Sequence, residues 1–300
     1  MLELIFDPSF AGSIPRFVTP ILLAALGGAL CERAGVFNIA LEGFLLTGAF
    51  AAVLGAYFSG TPHLGALAAM LAGMAMGLVF AEFNLRRGGD PIVVSIAMNI
   101  LAAGLTTYLL RALFGVTGAF SDRAIAGFTA IRLPLLHEIP VIGPVLSGQS
   151  LLFYLALAAV PALHLFFARH RLGLRMRAAG ENAEALQAAG VAPGRVQLAA
   201  LIGCGALCGL GGAQLSIANV NLFVENMSAG RGWIAVVAVL LTRGRPWPLF
   251  AIAVIFGMVD SLSFRVQGLG LAQQFTDMMP YVATLLVLIA LSWWRRRDHA

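Results

Sequence analysis

The chain has 300 residues, 60% of them hydrophobic and only 11% charged, and the few charges gather between long uncharged runs. That pattern excludes a soluble globular fold and marks an all-α polytopic membrane protein. The net charge of +5 comes from arginine alone. With no lysine the chain can be neither its own P-loop ATPase nor a Schiff-base enzyme, and with no long basic patch interleaved with aromatics it presents no nucleic-acid face.

The first residues carry Glu3 and Asp7 without a basic n-region, so no cleavable signal peptide is evident. MLELIFDPSF reads instead as a short amphipathic piece for an interface. Phe17 to Cys31 is a first apolar span. The second, Ala34 to about Phe58, is the most informative. It holds Asn38 and Glu42 four residues apart, on one helical face, with Gly35, Gly43 and Gly48 close by. A carboxylate at a bilayer centre costs about 2.5–3.5 kcal/mol, whereas a Leu or Phe returns only about 0.3–0.6 kcal/mol. Glu42 must therefore face protein or a water-filled path. It is either a substrate or gating position, or a structural carboxylate bonded to a neighbouring helix.

No charge occurs between Glu42 and Glu82, enough chain for the end of that span, a turn at Ser59-Gly60-Thr61-Pro62 and most of a third span. Leu85 to Asp90 is a tight polar link, and Pro91 opens a fourth span that runs to about Phe114 with Asn99 in its middle. Gly115 to Ser150 is mixed and polar, the longest connection on one side. Leu151 to Ala168 is the fifth span. Val196 to Val220 is the sixth, and its GCGALCGLGGA suits close helix packing. Cys31, Cys204 and Cys208, odd in number and in apolar surroundings, read as small packing residues rather than as metal ligands or a disulfide. After the polar stretch Asn221 to Arg231 come only about eleven apolar residues before Arg243-Gly244-Arg245-Pro246. Eleven are too few to cross upright, which predicts a half-span preceded by a re-entrant loop. Trp247 to Phe264 and Pro280 to Trp294 complete about nine membrane segments in a single transmembrane domain, residues 1–300.

Between the fifth and sixth spans lies a basic link, Arg169 to Arg195. Gly173, Gly180 and Gly190 bracket two short helical pieces there, and Glu181-Asn182 stands where a helix cap belongs. Its many alanines favour a compact helix that docks on another protein over a loop that only anchors topology. Arginine placement orients the whole. With a cytoplasmic C-terminal tail and an alternation at every segment, thirteen arginines fall inside and six outside. The N-terminus is then outside, and the link is cytoplasmic.

ERAGVFNIALEG followed by GAF, Met98-Asn99, the link sequence GLRMRAAGENAEALQAAGV and GRGWIAVVAVLLTRGRPWP together resemble the permease subunits of bacterial ATP-binding-cassette (ABC) importers. The similarity lies in the nucleoside and simple-sugar branch, and covers about Thr19 to Leu291. The ERxGVxNIxLEG form is similar to the smaller of two unlike permeases. The resemblance implies a type II-like ABC importer permease, with no cofactor of its own and no catalytic residue. It implies as partners a second permease, a double-cassette ATPase holding ATP and Mg, an extracytoplasmic substrate-binding lipoprotein and membrane lipids. It implies too that Gly173 to Gly190, with Arg177, Gly180, Glu181 and Asn182, couples to the ATPase. The turn Arg243-Gly244-Arg245 departs from the family pattern in being more basic.

Along the substrate path the candidates are Asn38 and Glu42, then Asn99, with Gln214 and Asn219 weaker. Asp260 is a weaker candidate too, and for these three the structural reading is favoured: Gln214 satisfies a helix carbonyl and Asp260 pairs with Arg265. Phe44 and Phe50 read as packing before base stacking, and Arg231 as a group that orients the half-span. Three rival classes stand beside this one. An ion-coupled secondary carrier would use Glu42 and a broken helix but would not need the elaborate link. A membrane enzyme lacks HExxH, GxSxG or a paired acidic motif. An ABC permease for ribose-like sugars or branched-chain amino acids shares fold and logic, and only GVFNIALEG separates it.

Overall fold

The computed structural model describes residues 8–132 and 142–267, with Val282. Among the described residues, seven helices are long and apolar enough to cross a membrane. In chain order the helices are α1 (Pro8–Arg33), α2 (Leu41–Ser59), α3 (Pro62–Ala81), α4 (Pro91–Phe114), the short α5 (Ile142–Leu146), α6 (Leu151–Arg169), α7 (Arg171–Glu181), α8 (Ala183–Ala188), α9 (Pro193–Ala213), the half-span α10 (Arg231–Thr242) and α11 (Pro246–Gln267). Eight of the nine expected segments thus fall on described residues. The ninth, Pro280 to Trp294, lies outside them but for Val282.

Start and stop chemistry accounts for the boundaries. Proline opens α3, α4, α9 and α11, where its missing N–H costs nothing. The Asp90 side chain accepts from Ile92 N and Val93 N at the head of α4, and Gly60 and Gly115 close α2 and α4 in the left-handed conformation. Two helices end in π turns: Glu82–Arg86 prolongs α3, and Gln214–Ala218 prolongs α9. The first span begins earlier than its apolar run implied. Pro8, Ser9 and Phe10, assigned from sequence to an interfacial piece, already belong to α1. The helix continues through Pro15 and Pro20, and at Pro20 another residue serves the backbone group that proline strands. Pro20 has no N–H for Arg16 O, and Asn219 Nδ2 donates to that oxygen at 3.2 Å.

Helix α1 is the central post, most of its apolar length buried, with α9, α10 and α11 packed on it. The tightest contact is α3 on α9, made by two GxxxG repeats, Gly73/Gly77 and Gly205/Gly209. A methyl group at Gly73 would collide with Gly205 O, and one at Gly205 with Gly73 O. Backbone-to-backbone approach of this kind is how helices gain contact where no hydrophobic effect drives them together. The three cysteines are free and buried in this core. Outside the helices, β1 (Ala119–Phe120) pairs antiparallel with β2 (Phe223–Val224), which ties the long α4–α5 connection to the stretch before α10.

Candidate functional site

The second span starts with a break. After α1 ends at Arg33 the chain turns at Gly35, whose φ of 73° only glycine adopts readily, and runs without helix from Val36 to Ala40. Non-helical backbone at membrane depth must be satisfied by protein. Val36 N donates to Cys31 O at 2.9 Å. Ile39 N donates to Ser95 Oγ at 3.2 Å, and Ala40 N to Asn38 Oδ1 at 2.8 Å. Asn99 serves both sides of the break at once: Gly43 N donates to its Oδ1 at 2.8 Å, and its Nδ2 donates to Ile39 O at 3.1 Å. Ser95 and Asn99 are one helical turn apart on α4, so a single face of that helix holds the break.

Glu42 sits in the first turn of α2, 9% exposed. Both carboxylate oxygens are engaged, Gly230 N donating to Oε1 at 2.8 Å and Gly232 N to Oε2 at 2.7 Å. These are among the orphan donors at the N-terminus of the half-span α10, where the helix dipole favours a negative charge. Gly232 packs so closely on the Glu42 backbone that no larger residue fits. A second anchor lies beside the first. Arg231 Nε is 2.9 Å from Asp260 Oδ2 on α11, with side chains 18% and 15% exposed. Asp260 therefore meets Arg231 rather than the Arg265 anticipated from sequence, because α10 runs antiparallel to α11 and brings its first residue alongside. At its far end α10 closes in two left-handed residues, Arg243 and Gly244, and Arg33 Nε donates to Gly244 O at 3.2 Å.

Gln214 and Asn219 stand apart from this constellation. Ser150 Oγ donates to Gln214 Oε1 at 2.7 Å, Gln214 Nε2 to Asn219 Oδ1 at 2.9 Å, and Asn219 onward to Arg16 O. The relay joins the cap of α6, the π turn after α9 and the proline break of α1. Phe44 and Phe50 are buried, Phe50 edge-on to Phe223 at 5.1 Å, as packing residues are.

In the link, α7 spans Gly173 and Gly180 instead of being bracketed by them. Each glycine marks a close approach: a side chain at 173 would meet Phe166 O, and one at 180 would meet Arg33 O. Gly35 and Gly180 thus lie directly against each other, the break against the link. Asn182 caps α8, its Oδ1 accepting from Ala185 N at 2.9 Å, and Gly190, at φ 80°, lies just past the end of α8. Arg177, Glu181 and Asn182 are exposed.

The family profile described as "Branched-chain amino acid transport system / permease component" matches residues 11–291. The chain belongs to this permease family. Among its relatives, TsgC13 of Haloferax volcanii, an ABC transporter permease named for glucose, is 34% identical, over 89% of this chain and 80% of its own. The guanosine ABC transporter permease NupQ of Bacillus subtilis is 31% identical, and so is the nucleoside ABC transporter permease NupC of Lactococcus lactis; each match covers 91% of this chain and 88% of the relative. In fold the permease is similar to an inward-facing ABC transporter of the metal-chelate type, with a TM-score of 0.53 at 14% identity over 93% of this chain and 85% of the other. The chain is therefore a multi-pass ABC transporter permease, and transport rather than catalysis is its family's work. Ser95 and Gly232 escaped the sequence reading. For Ser95 the available signal was its spacing of four from Asn99; for Gly232 it was its place in the GRGW stretch of the resemblance, which says nothing of a contact with Glu42 190 residues away.

Proposed function

We propose that this permease is one of two unlike membrane subunits of an ATP-driven importer that passes nucleosides, or a related simple sugar, by alternating access. In this reading it sits in the bacterial plasma (inner) membrane with its N-terminus outside and its C-terminus cytoplasmic. A second permease completes the path, a separate ATPase with ATP and Mg drives it, and an extracytoplasmic lipoprotein delivers the solute.

One observation carries the mechanism. The strap Arg33–Glu42 touches the link at one end, through Gly35 on Gly180, and grips the half-span at the other, through Glu42 on Gly230 and Gly232. Gly173, Arg177, Gly180, Glu181, Asn182 and Gly190 then form the coupling unit that receives the ATPase stroke, and the strap passes it to α10. The path runs beside the break. Asn38, Glu42 and Asn99 shape its wall by holding backbone in place, with Gln214 and Asn219 doing the same near the outer mouth. Glycine contacts make the transmission stiff, since neither side can yield a side chain.

NupQ and NupC support the nucleoside reading by their names, and TsgC13 supports the sugar reading. The test is uptake of radiolabelled uridine, adenosine and glucose by cells expressing the chain with its partners. Nucleoside uptake that stops with an inactive ATPase supports the proposal, glucose uptake alone moves it to the sugar, and uptake driven by an ion gradient without the ATPase overturns it.

A further inference from the structure

On the link-bearing end of the bundle one cleft of about 330 Å³ collects positive charge. Arg33 reaches it from the end of α1, Arg177 from α7 and Arg245 from the α10–α11 turn. Three guanidinium groups from three separate elements line one small volume, and none of them forms an ion pair among the described residues. Arg33 spends its Nε on Gly244 O, and the carboxylates near it are Glu32 and Glu181. The cleft keeps an excess of positive charge that an anion would balance.

The surroundings identify the anion. The remaining wall is His164, Phe167 and Ala168 of α6 with Pro246, Trp247 and Pro248 of α11, the His164 and Trp247 rings 6.5 Å apart. Trp247 is 52% exposed at the end of a membrane-length helix, the place where tryptophan meets lipid headgroups. From this pair two exposed, largely apolar stripes run into the span. On α6 the stripe is Leu157, Pro161 and Ala168 around His164, and on α11 it is Ala251, Ile255 and Met258 beyond Trp247. The two helices pack side by side. A polar ligand has no use for such a lane, and an acyl chain does.

We propose that this cleft binds the phosphate of an anionic membrane lipid, with an acyl chain laid between α6 and α11. Guanidinium groups hold phosphate through paired N–H donors, and basic pockets between membrane helices are suited to anionic headgroups. The inner-leaflet placement rests on the orientation proposed above. Lipid retention is measured without transport, so the two readings fail separately.

The test is native mass spectrometry of the purified full chain, offered dioleoyl phosphatidylglycerol, dioleoyl phosphatidylcholine or inorganic phosphate. Phosphatidylglycerol is expected to be retained in preference to phosphatidylcholine. Retention weakens about fivefold for R245Q and again for R177Q/R245Q, at the contribution of one arginine near a charged membrane surface. R111Q, in the last turn of α4 and no part of the cleft, retains lipid as the wild type does. If R245Q does not purify, R177Q alone repeats the comparison from an exposed helical face. Equal retention of the two lipids, or an equal loss in R111Q, overturns the site. Competition by inorganic phosphate at matched concentration reassigns it to a free anion, and displacement of lipid on adding the ATPase reassigns it to that subunit.

Discussion

Glu42→Gln separates a carboxylate that holds the half-span from one that touches solute. In the wild type two backbone N–H donors each meet a carboxylate oxygen, at 2.8 and 2.7 Å. Glutamine keeps one acceptor and turns an NH₂ toward the other donor. One charge-assisted hydrogen bond is lost, about 1.5–3 kcal/mol, with about 0.3–1 kcal/mol more for a charge removed from a helix N-terminus. Glu42→Ala forfeits both bonds, for about 3–6 kcal/mol. At about 2–4 °C per kcal/mol for a chain of this size class, the glutamine variant should melt several degrees below wild type and the alanine variant lower still. Hydrogen exchange supplies the local readout: the amides of Gly230 and Gly232 should exchange faster, with the α3–α9 contact unaffected. A variant that melts and exchanges like wild type but has a raised KM for uptake would refute the anchoring argument and restore Glu42 as a solute ligand.

Four further outcomes follow from the contacts. Gly205→Val drives a branched side chain into Gly73 O and should abolish a monodisperse peak in size-exclusion chromatography, whereas Gly104→Ala, with open space around it, should raise stability by up to about 1 kcal/mol. Arg231→Ala and Asp260→Ala should each destabilise by about 3 kcal/mol or more, and the double variant by clearly less than their sum; an additive cycle in thermal melts would show the pair to be uncoupled. Gly180→Val should leave the chain purifiable yet stop ATP-dependent uptake, because the new side chain pushes the link off Arg33 O; normal uptake would remove the link-to-strap contact from the mechanism. Cys31, Cys204 and Cys208 should resist maleimide in the native protein and all react after unfolding in SDS, and fast native labelling of any one would contradict their burial.

The resemblance and the geometry meet in the GVFNIALEG stretch, but they divide its residues differently from a list of polar candidates. Asn38, Glu42 and Asn99 were recognisable because polar groups in apolar runs are conspicuous. What they do was not recognisable, because each accepts from backbone N–H groups whose need arises only in three dimensions, and Asn38 also donates through Nδ2 to the sulfurs of Cys31 and Cys204. Asn219 is the sharpest case. Its amide replaces the N–H that Pro20 lacks, a debt incurred about two hundred residues earlier in the chain.

By itself the sequence determined the all-α membrane class, the seven long spans among the described residues, the half-span and the helical link, since each follows from local quantities: the length of an apolar run, a proline at its head, a charge between runs. The tertiary structure alone decided the partners. It set Arg231 rather than Arg265 against Asp260, interlocked Gly73 with Gly205, placed Glu42 on Gly230 and Gly232, and laid Gly35 on Gly180. Apolar periodicity carries no information about which of several similar helices will be neighbours. Inside a membrane that choice is made by close approach of small residues and by the need to satisfy every freed backbone group, and both act across long separations in sequence.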